Sequence, residues 1–552
     1  MRTSVLASAA MALALAAPAW AIPADFKAKA DALLKQSFPD SGPGAAVIVT
    51  DDGKIVYEAG QGLADVSAKT PITPGTVFRM GSITKQFSAA IVLQLAAEGK
   101  LSLDDKLSKF LPDFPKPGAD ATVRQLLNHT VGVQSYTDIP GWMAEKNTAR
   151  AYTTDEMISQ FKDLPSPSKP GDKWAYNNSG YVLVGAVIEK VTGKPWHQAV
   201  DERIARPLGL KTIRYGVVED QTPHMAKGYT DKDGQVVDAQ KIHMSVPHAA
   251  GALIGSVEDL AKWNAALRHG KVIPAALYAQ MNTPTRLPDG SVEDYGFGMG
   301  VRELRSRPAL GHGGGIFGFS TDSIYLPKED VFVAVFTNSD SPATNPGMVM
   351  QQLAALAIDD PFPTFHKAAL DAKAVEPWVG VYKVKDGERR VFVKDGKLFT
   401  QRTGGGELEA FAAGNGKYFY ENSLSWFELK RDAAGTPVFA MYQQGAVTPE
   451  IAARAGDIPP EPVAVDVPRA TLERYAGTYN APMGALVVAL PAEGPMTVKL
   501  GGQQAIPVAA VSQTEFRTMG VDARVEFIVE NGKVTAAVLK QGGREMKAVR
   551  AD

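Results

Sequence analysis

No cysteine occurs in the 552 residues. That absence excludes disulfides, thiolate nucleophiles and cysteine-ligated metals. Histidine is scarce, with eight scattered along the chain. No HExxH and no convincing pair at metal-ligand spacing occurs among them. His243 and His248 are near neighbours without a carboxylate at ligand spacing, and they read as loop residues. An excess of one charge is lacking too: 58 Lys+Arg face 60 Asp+Glu, a formal net charge of −2. Such a balance offers no electrostatic basis for binding nucleic acid or an acidic membrane surface. Gly-x-Ser-x-Gly is absent, which removes the nucleophile elbow of the α/β-hydrolases. Beyond the N-terminus no apolar run is long enough to span a bilayer.

What remains is ordinary globular composition, 45% hydrophobic and 21% charged, in a chain long enough for two to four domains. The N-terminus reads MRTSVLASAAMALALAAPAWA, one Arg followed by an apolar run and Ala19-Trp20-Ala21. This is the pattern of an export signal with a small-residue cleavage site. It predicts removal of residues 1–21, a mature chain from Ile22, and a periplasmic or secreted protein with no stable membrane insertion.

Three regions follow. In residues 22–360 a helical pattern at Ala24–Phe38 precedes a hairpin, Ala45–Thr50 and Lys54–Glu58 about Asp51-Asp52-Gly53. Helical periodicity then marks Ser82–Glu98, Val123–Asn128, Thr154–Phe161, Gly180–Thr192 and Val257–Leu267. Strand patterns return at Gly296–Val301, Ser320–Leu326 and Val331–Phe336, and a last helix is expected at Gly347–Leu356. Strands at both ends with helices between predict one α/β (α+β) unit: a sheet made by the two ends, with an inserted helical lobe. Past Asp359-Asp360-Pro361-Phe362-Pro363 the pattern alternates, and it repeats. WVGVY (Trp378–Tyr382) matches YAGTY (Tyr475–Tyr479), and WFELKRDAAGTPVFAMYQQG from Trp426 matches VEFIVENGKVTAAVLKQGG from Val525. Two antiparallel β domains, barrels or half-barrels at 370–456 and 464–552, are expected across the stiff Ile458–Pro462 linker; one larger β domain is the alternative.

Chemistry concentrates in the first region. Ser82 and Lys85 are three apart at a helix start and share one face. Beside the positive end of the helix dipole, a partly buried Lys85 would be held neutral and able to take the Ser82 proton. Ser82 would also be placed to cap the helix. Tyr176-Asn177-Asn178 lies in a loop before the next helix. A Tyr176 hydroxyl near an ammonium would have its pKa lowered and could carry protons. The Asn178 amide could anchor Lys85 or a substrate carbonyl. His312-Gly313-Gly314-Gly315 precedes a strand, and its glycines permit close backbone approach. The Gly315 N–H, with that of Ser82, could form an oxyanion hole.

Together, Ser82-x-x-Lys85, Tyr176-x-Asn178 and His312-x-Gly314, in this order, resemble the three elements of the penicillin-recognising serine hydrolases. That superfamily holds the serine β-lactamases, low-molecular-mass penicillin-binding proteins, D-aminopeptidases and esterases resembling class C β-lactamases. The phrases LLNHTVGV at Leu126, AAGALIGSVEDLAKW at Ala249 and YGFGMG at Tyr295 are similar to the group as well. The resemblance implies a β-lactamase/penicillin-binding-protein-like fold, followed here by lipocalin-like barrels. It implies an acyl-enzyme on Ser82, with Lys85 and Tyr176 managing protons in an order the sequence does not give. Asn178, His312, Gly314 and Gly315 would bind substrate. It implies no metal and no organic cofactor, and a structural place for His129.

The third element departs from the Lys-Thr-Gly or Lys-Ser-Gly of many β-lactamases. His312 is largely neutral above about pH 6.5, so carboxylate binding there should be weaker. His-x-Gly and two tail barrels resemble the D-aminopeptidase layout, in which a loop of the last barrel reaches the active site. The expected substrate is therefore a small molecule or short peptide, with D-amino-acid peptides first. Small esters come second and β-lactams third, and a non-catalytic binding homologue is the remaining class. An acidic residue from a barrel loop would favour an amine-bearing peptide, and an open apolar cleft would favour esters. The oligomeric state is left open.

Overall fold

The computed structural model describes residues 22–385, 387–460, 464–481 and 484–551. The segment read as an export signal lies outside these. Among the described residues no helix is long and apolar enough to cross a membrane.

The chain opens with α1 (Phe26–Ser37) and the hairpin β1 (Ala45–Asp51) and β2 (Lys54–Gln61). Positive φ at Asp52 and Gly53 makes the tight turn between them. The lobe that follows contains α2 (Thr84–Ala97), α3 (Asn178–Thr192), α4 (His248–Gly251) and α5 (Val257–Arg268). The chain then supplies β3 (Gly300–Leu304), β4 (Arg307–Gly311), β5 (Gly314–Ile316), β6 (Phe319–Leu326) and β7 (Val331–Thr337), before α6 (Pro346–Ala357). The sheet runs β3-β4-β6-β7-β1-β2, with β5 also on β6. β1 pairs antiparallel with β7 from Ala45↔Thr337 to Asp51↔Val331, so the two ends of the region do build one sheet.

Strand periodicity divides the core. Val47 and Val49 of β1 face α1 and α6, where Phe26, Leu34 and Leu353 are buried. Ala46 and Ile48 face the helical lobe. α2 is buried almost all round, from Thr84 to Leu95 except Gln94, as a helix in the middle of a large core must be.

Two sequence expectations shift. The strand expected at Gly296–Val301 begins only at Gly300, because the glycine-rich approach is a turn: Gly298 has φ +67, and a Cβ there would lie 2.6 Å from the Lys85 carbonyl oxygen. The strand Arg307–Gly311 was not expected. Its hairpin turns on Arg305 and Ser306, both at positive φ, residues that carry none of the usual Asn-Gly or Asp-Gly signal.

The tail forms two closed barrels of eight antiparallel strands each, Gly380–Gly456 and Gly477–Arg550. The repeated phrases do one job twice. The Tyr382 hydroxyl donates to the Trp378 carbonyl at 2.7 Å, and the Tyr479 hydroxyl donates to the Tyr475 carbonyl at 2.7 Å. Each tyrosine ties its first strand to the turn before it.

Candidate active site

Ser82 lies in a single 3-10 turn, Gly81–Ile83, between a two-residue strand and α2. The strand, Phe78–Arg79, pairs with Leu253–Gly255. The Met80 N–H donates to the Leu253 carbonyl at 2.9 Å, and the Thr321 hydroxyl donates to the Met80 carbonyl at 3.1 Å. The loop is thus fixed from both the lobe and the sheet. Ser82 does not cap α2: the turn before the helix already has helical backbone, and no side-chain cap bond forms at either start.

Lys85 is completely buried. Its Nζ lies 3.0 Å from Ser82 Oγ, 2.8 Å from Asn178 Oδ1 and 2.8 Å from the Ala250 carbonyl oxygen. Among the described residues no carboxylate offsets the burial, and desolvation holds the amine far below its ordinary pKa. A neutral amine has two N–H donors and one lone pair. Asn178 Oδ1 and the Ala250 oxygen only accept, so they take both donors. In that neutral form the lone pair is left for Ser82, whose hydroxyl would donate to it; in the ammonium form Nζ donates to Ser82 Oγ instead.

Asn178 opens α3, and Asn177 caps it: Oδ1 of Asn177 accepts the Gly180 N–H at 2.8 Å. The Asn177 N–H donates to His129 Nδ1 at 3.1 Å, and the His129 ring lies 4.3 Å from that of Tyr176. His129 therefore has a structural place. Tyr176 sits with its ring centroid 4.7 Å from Lys85 Nζ. Its pKa is raised, not lowered. Burial of the ring is the dominant cause. The expectation of a lowered value left out how deeply the phenol itself is buried.

His312 is buried and is not among the residues lining the cavity that opens on Ser82. Its Nδ1–H donates to the Gly313 carbonyl at 2.6 Å, and its Nε2 accepts from the Tyr295 hydroxyl at 2.8 Å. Burial pushes it down to about 3, so the ring is neutral at physiological pH. Gly314 is required by contact, because a Cβ there would lie 2.0 Å from the Met80 carbonyl oxygen. β5 and β6 turn tightly at Phe317-Gly318, so Ile316↔Phe319 is the first hydrogen-bonded pair. By alternation Gly315↔Ser320 is a non-hydrogen-bonded pair, and the Gly315 N–H turns away from β6. It turns toward the nucleophile loop, since a Cβ on Gly81 would lie 3.0 Å from that nitrogen.

The structure thus brings Ser82, Lys85, Tyr176, Asn178 and the Gly314–Gly315 backbone together, and holds His312 one layer behind them. A cavity of about 430 Å³ opens on Ser82, Asn178 and Gly315, with mainly apolar walls that include Tyr136, Met143, Ile316 and Phe317 and with Asp340 on one side. A larger one, about 1060 Å³, contains Tyr176 and shares Thr137 and Met143 with the first. Gly484, Ala485, Gly501 and Gly502 of the second barrel line it. Among the described residues that barrel sends no acid into either cavity.

Sequence reasoning missed the Ala250 carbonyl, Tyr295 and the Ser135–Thr137 segment that bonds Asn178. The first two lie inside the phrases AAGALIGSVEDLAKW and YGFGMG. A carbonyl has no residue-type signal, and a tyrosine behind a histidine is found only in three dimensions. Elsewhere, ligand atoms of Asp52, His269 and Asp330 come within 4.8 Å of one another, but Asp330 is already engaged by Arg268 and Tyr325.

The family model of the Beta-lactamase family matches residues 31–357, and the chain belongs to that family. It is similar to the D-aminopeptidase of Gluconobacter oxydans (strain 621H), 27% identical over 60% of this chain and 61% of that protein. It is similar to the esterase EstB of Burkholderia gladioli, 33% identical over 42% of this chain and 62% of that protein. Among solved structures, the octameric penicillin-binding protein homologue from Pyrococcus abyssi superposes with a TM-score of 0.55 at 25% identity, covering 77% of this chain and 99% of that one. The fold is that of the β-lactamases and penicillin-binding proteins, and the chain is a serine hydrolase.

Proposed function

We propose that Ser82 is the nucleophile of an acyl-enzyme hydrolase for small amides of amino acids, D-configured ones first. The observation that carries this reading is the fully buried Lys85, with no counter-charge among the described residues, at 3.0 Å from Ser82 Oγ. Ser82 attacks the carbonyl carbon as its proton passes to Lys85, and the oxyanion is held by the Ser82 and Gly315 N–H groups. The carbon–nitrogen bond breaks as the proton returns, through the Tyr176 hydroxyl, to the leaving amine. Water then attacks the ester, gives its proton to the same base, and frees the acid and Ser82.

The substrate class is read from the cleft. Apolar walls suit an apolar side chain, and Asp340 can hold an ammonium group beside it. The D-aminopeptidase relative supports an amine-bearing substrate. His312, with both nitrogens engaged, has no cation for a substrate carboxylate, which argues against β-lactams. A second reading, a small-ester carboxylesterase, is favoured by the apolar walls and by the lack of a barrel acid among the described lining residues. Residues 1–21 are proposed to direct export to the periplasm or beyond, and N-terminal sequencing of the exported protein should begin at Ile22.

The test compares the protein with Ser82→Ala on four substrates: D-alanine p-nitroanilide, its L-isomer, p-nitrophenyl butyrate and a chromogenic cephalosporin. Ser82-dependent cleavage of the D-anilide supports the amidase. Cleavage of the ester alone moves the assignment to esterase. No Ser82-dependent turnover on any of them overturns both.

A further inference from the structure

The first barrel has a charged residue in its core. Arg389 lies on the strand Gly387–Lys394, two residues before buried Val391 and on the same inward face. It is 8% exposed. Its guanidinium has five N–H donors, yet only Nη1 finds acceptors, Thr400 Oγ1 at 3.4 Å and Tyr420 Oη at 3.5 Å. Nε is buried with no hydrogen-bond partner. The Phe439 ring lies 5.2 Å away. Among the described residues no carboxylate forms an ion pair with it. A buried charge without a counter-charge is costly, and folded proteins seldom keep one without a use.

The sister barrel shows that the fold does not need this charge. In the first barrel Arg389 pairs across from Tyr382, and in the second Leu486 pairs across from Tyr479. The two tyrosines make the same hydrogen bond, which fixes the equivalence. Thr400 pairs across from Val391 as Val498 does from Val488. One barrel therefore has Arg389 and Thr400 where the other has buried Leu486 and Val498. Tyr420 completes the polar group, with its hydroxyl 2.7 Å from Thr400 Oγ1. That contact uses one of the two O–H donors and leaves the other for a further acceptor. Tyr420 also lines a cavity of about 600 Å³ with Phe362, Phe365, Phe419 and Leu424. That cavity lies between the barrel and helices α1 and α6, and of the three polar residues Tyr420 is the one that lines it.

We propose that Arg389, Thr400 and Tyr420 bind the carboxylate of a small organic acid in the first barrel, entered past Tyr420. One guanidinium and one free hydroxyl match a planar monoanion, and the fork geometry of arginine suits two carboxylate oxygens. A phosphate dianion would leave charge uncompensated. Phe362, Phe365, Phe419 and Leu424 in that cavity, whose other walls include Lys29 and Glu421, suit the body of an acid with a hydrocarbon or aromatic tail. This site is separate from Ser82.

The test is calorimetric titration of the full chain with benzoate and hexanoate, with benzamide, inorganic phosphate and chloride as controls. Saturable binding of both carboxylates is expected, at least tenfold weaker in Arg389→Leu, which copies the sister barrel, with ester or anilide hydrolysis unchanged. Tyr420→Phe, which keeps the ring, should weaken binding several-fold and covers the case in which Arg389→Leu fails to fold. In crystals grown with p-bromobenzoate, the bromine signal should lie within the first barrel or its mouth. No saturable carboxylate binding, equal affinity in Arg389→Leu, or phosphate or chloride binding as tightly as the carboxylates would each overturn the proposal.

Discussion

Asn178 Oδ1 lies 2.8 Å from Lys85 Nζ, joining the start of α3 to the first turn of α2 across the floor of the cleft. The amide does more than anchor. By accepting one N–H while the Ala250 carbonyl accepts the other, it orients the lone pair of a neutral amine toward Ser82. The arrangement depends on Asn178 being uncharged.

Asn178→Asp should therefore damage the site while nearly conserving shape. A carboxylate at that distance favours the ammonium and raises the pKa of Lys85. The acid limb of kcat/KM should move to higher pH, with activity at pH 7 falling roughly a hundredfold, as expected for a general base held protonated. The pH–rate profiles of both proteins check this. An unmoved acid limb would remove Lys85 from the role of base.

Tyr176→Phe keeps the ring against His129 and removes only the hydroxyl. If that hydroxyl relays the proton to the leaving group, kcat should fall by about tenfold to a hundredfold. Anilides should suffer more than activated esters, whose leaving group needs little protonation. Because burial raises the Tyr176 pKa, no alkaline limb from it is expected below about pH 10. Equal losses on anilide and ester would argue for a packing role instead.

Much of this was legible in the sequence, for physical reasons that differ by level. The buried strands β1 and β7 announce themselves by apolar runs, and Ser82, Lys85, Tyr176 and Asn178 by residue type and spacing. The β4 hairpin was not legible, since Arg305 and Ser306 adopt positive φ without the residues that prefer it. Nor was the direction of the Tyr176 shift, which depends on how deeply the ring itself is buried. His312 reads as a substrate-facing group by its place in the motif, but Tyr295, seventeen residues earlier, turns it inward. Arg389 gave no signal at all, because arginine in an alternating strand reads as a solvent-facing residue.

Buried histidines predict the acid stability of the fold. Burial pushes His312 and His248 down to about 3 each, and His129 well below its ordinary value. In the unfolded chain all three titrate near 6.5. Between these values the unfolded state binds more protons, so stability is full above about pH 6.5 and is lost as pH falls toward 3. His312 and His248 each cost about 1.4 kcal/mol per pH unit inside that window, and His129 acts in the same direction. Urea unfolding at pH 7, 6, 5 and 4 measures it, and His248→Asn should reduce the slope by about one proton. A flat profile across this range would contradict the neutral, buried state of all three.

Gly81→Ala probes the oxyanion hole without touching a reacting group. Gly81 has φ +52, a conformation that L side chains rarely adopt. An added Cβ would meet the Gly315 nitrogen at 3.0 Å and Gly314 carbon atoms at 3.2 Å. The backbone must shift, either at the turn that carries Ser82 or at β5. Either movement separates two N–H groups that must meet one oxygen at about 2.7–3.1 Å. The loss should fall on kcat, on the order of a hundredfold, with KM little changed, because the oxyanion exists only in the transition state and intermediate. Thermal stability should fall only modestly, by about 1 kcal/mol. Steady-state kinetics on one ester and one anilide, with a melting curve, separate the two effects. A large loss of stability with unchanged kcat in the folded fraction would mean that Gly81 serves the fold alone and that Gly315 does not contact the oxyanion.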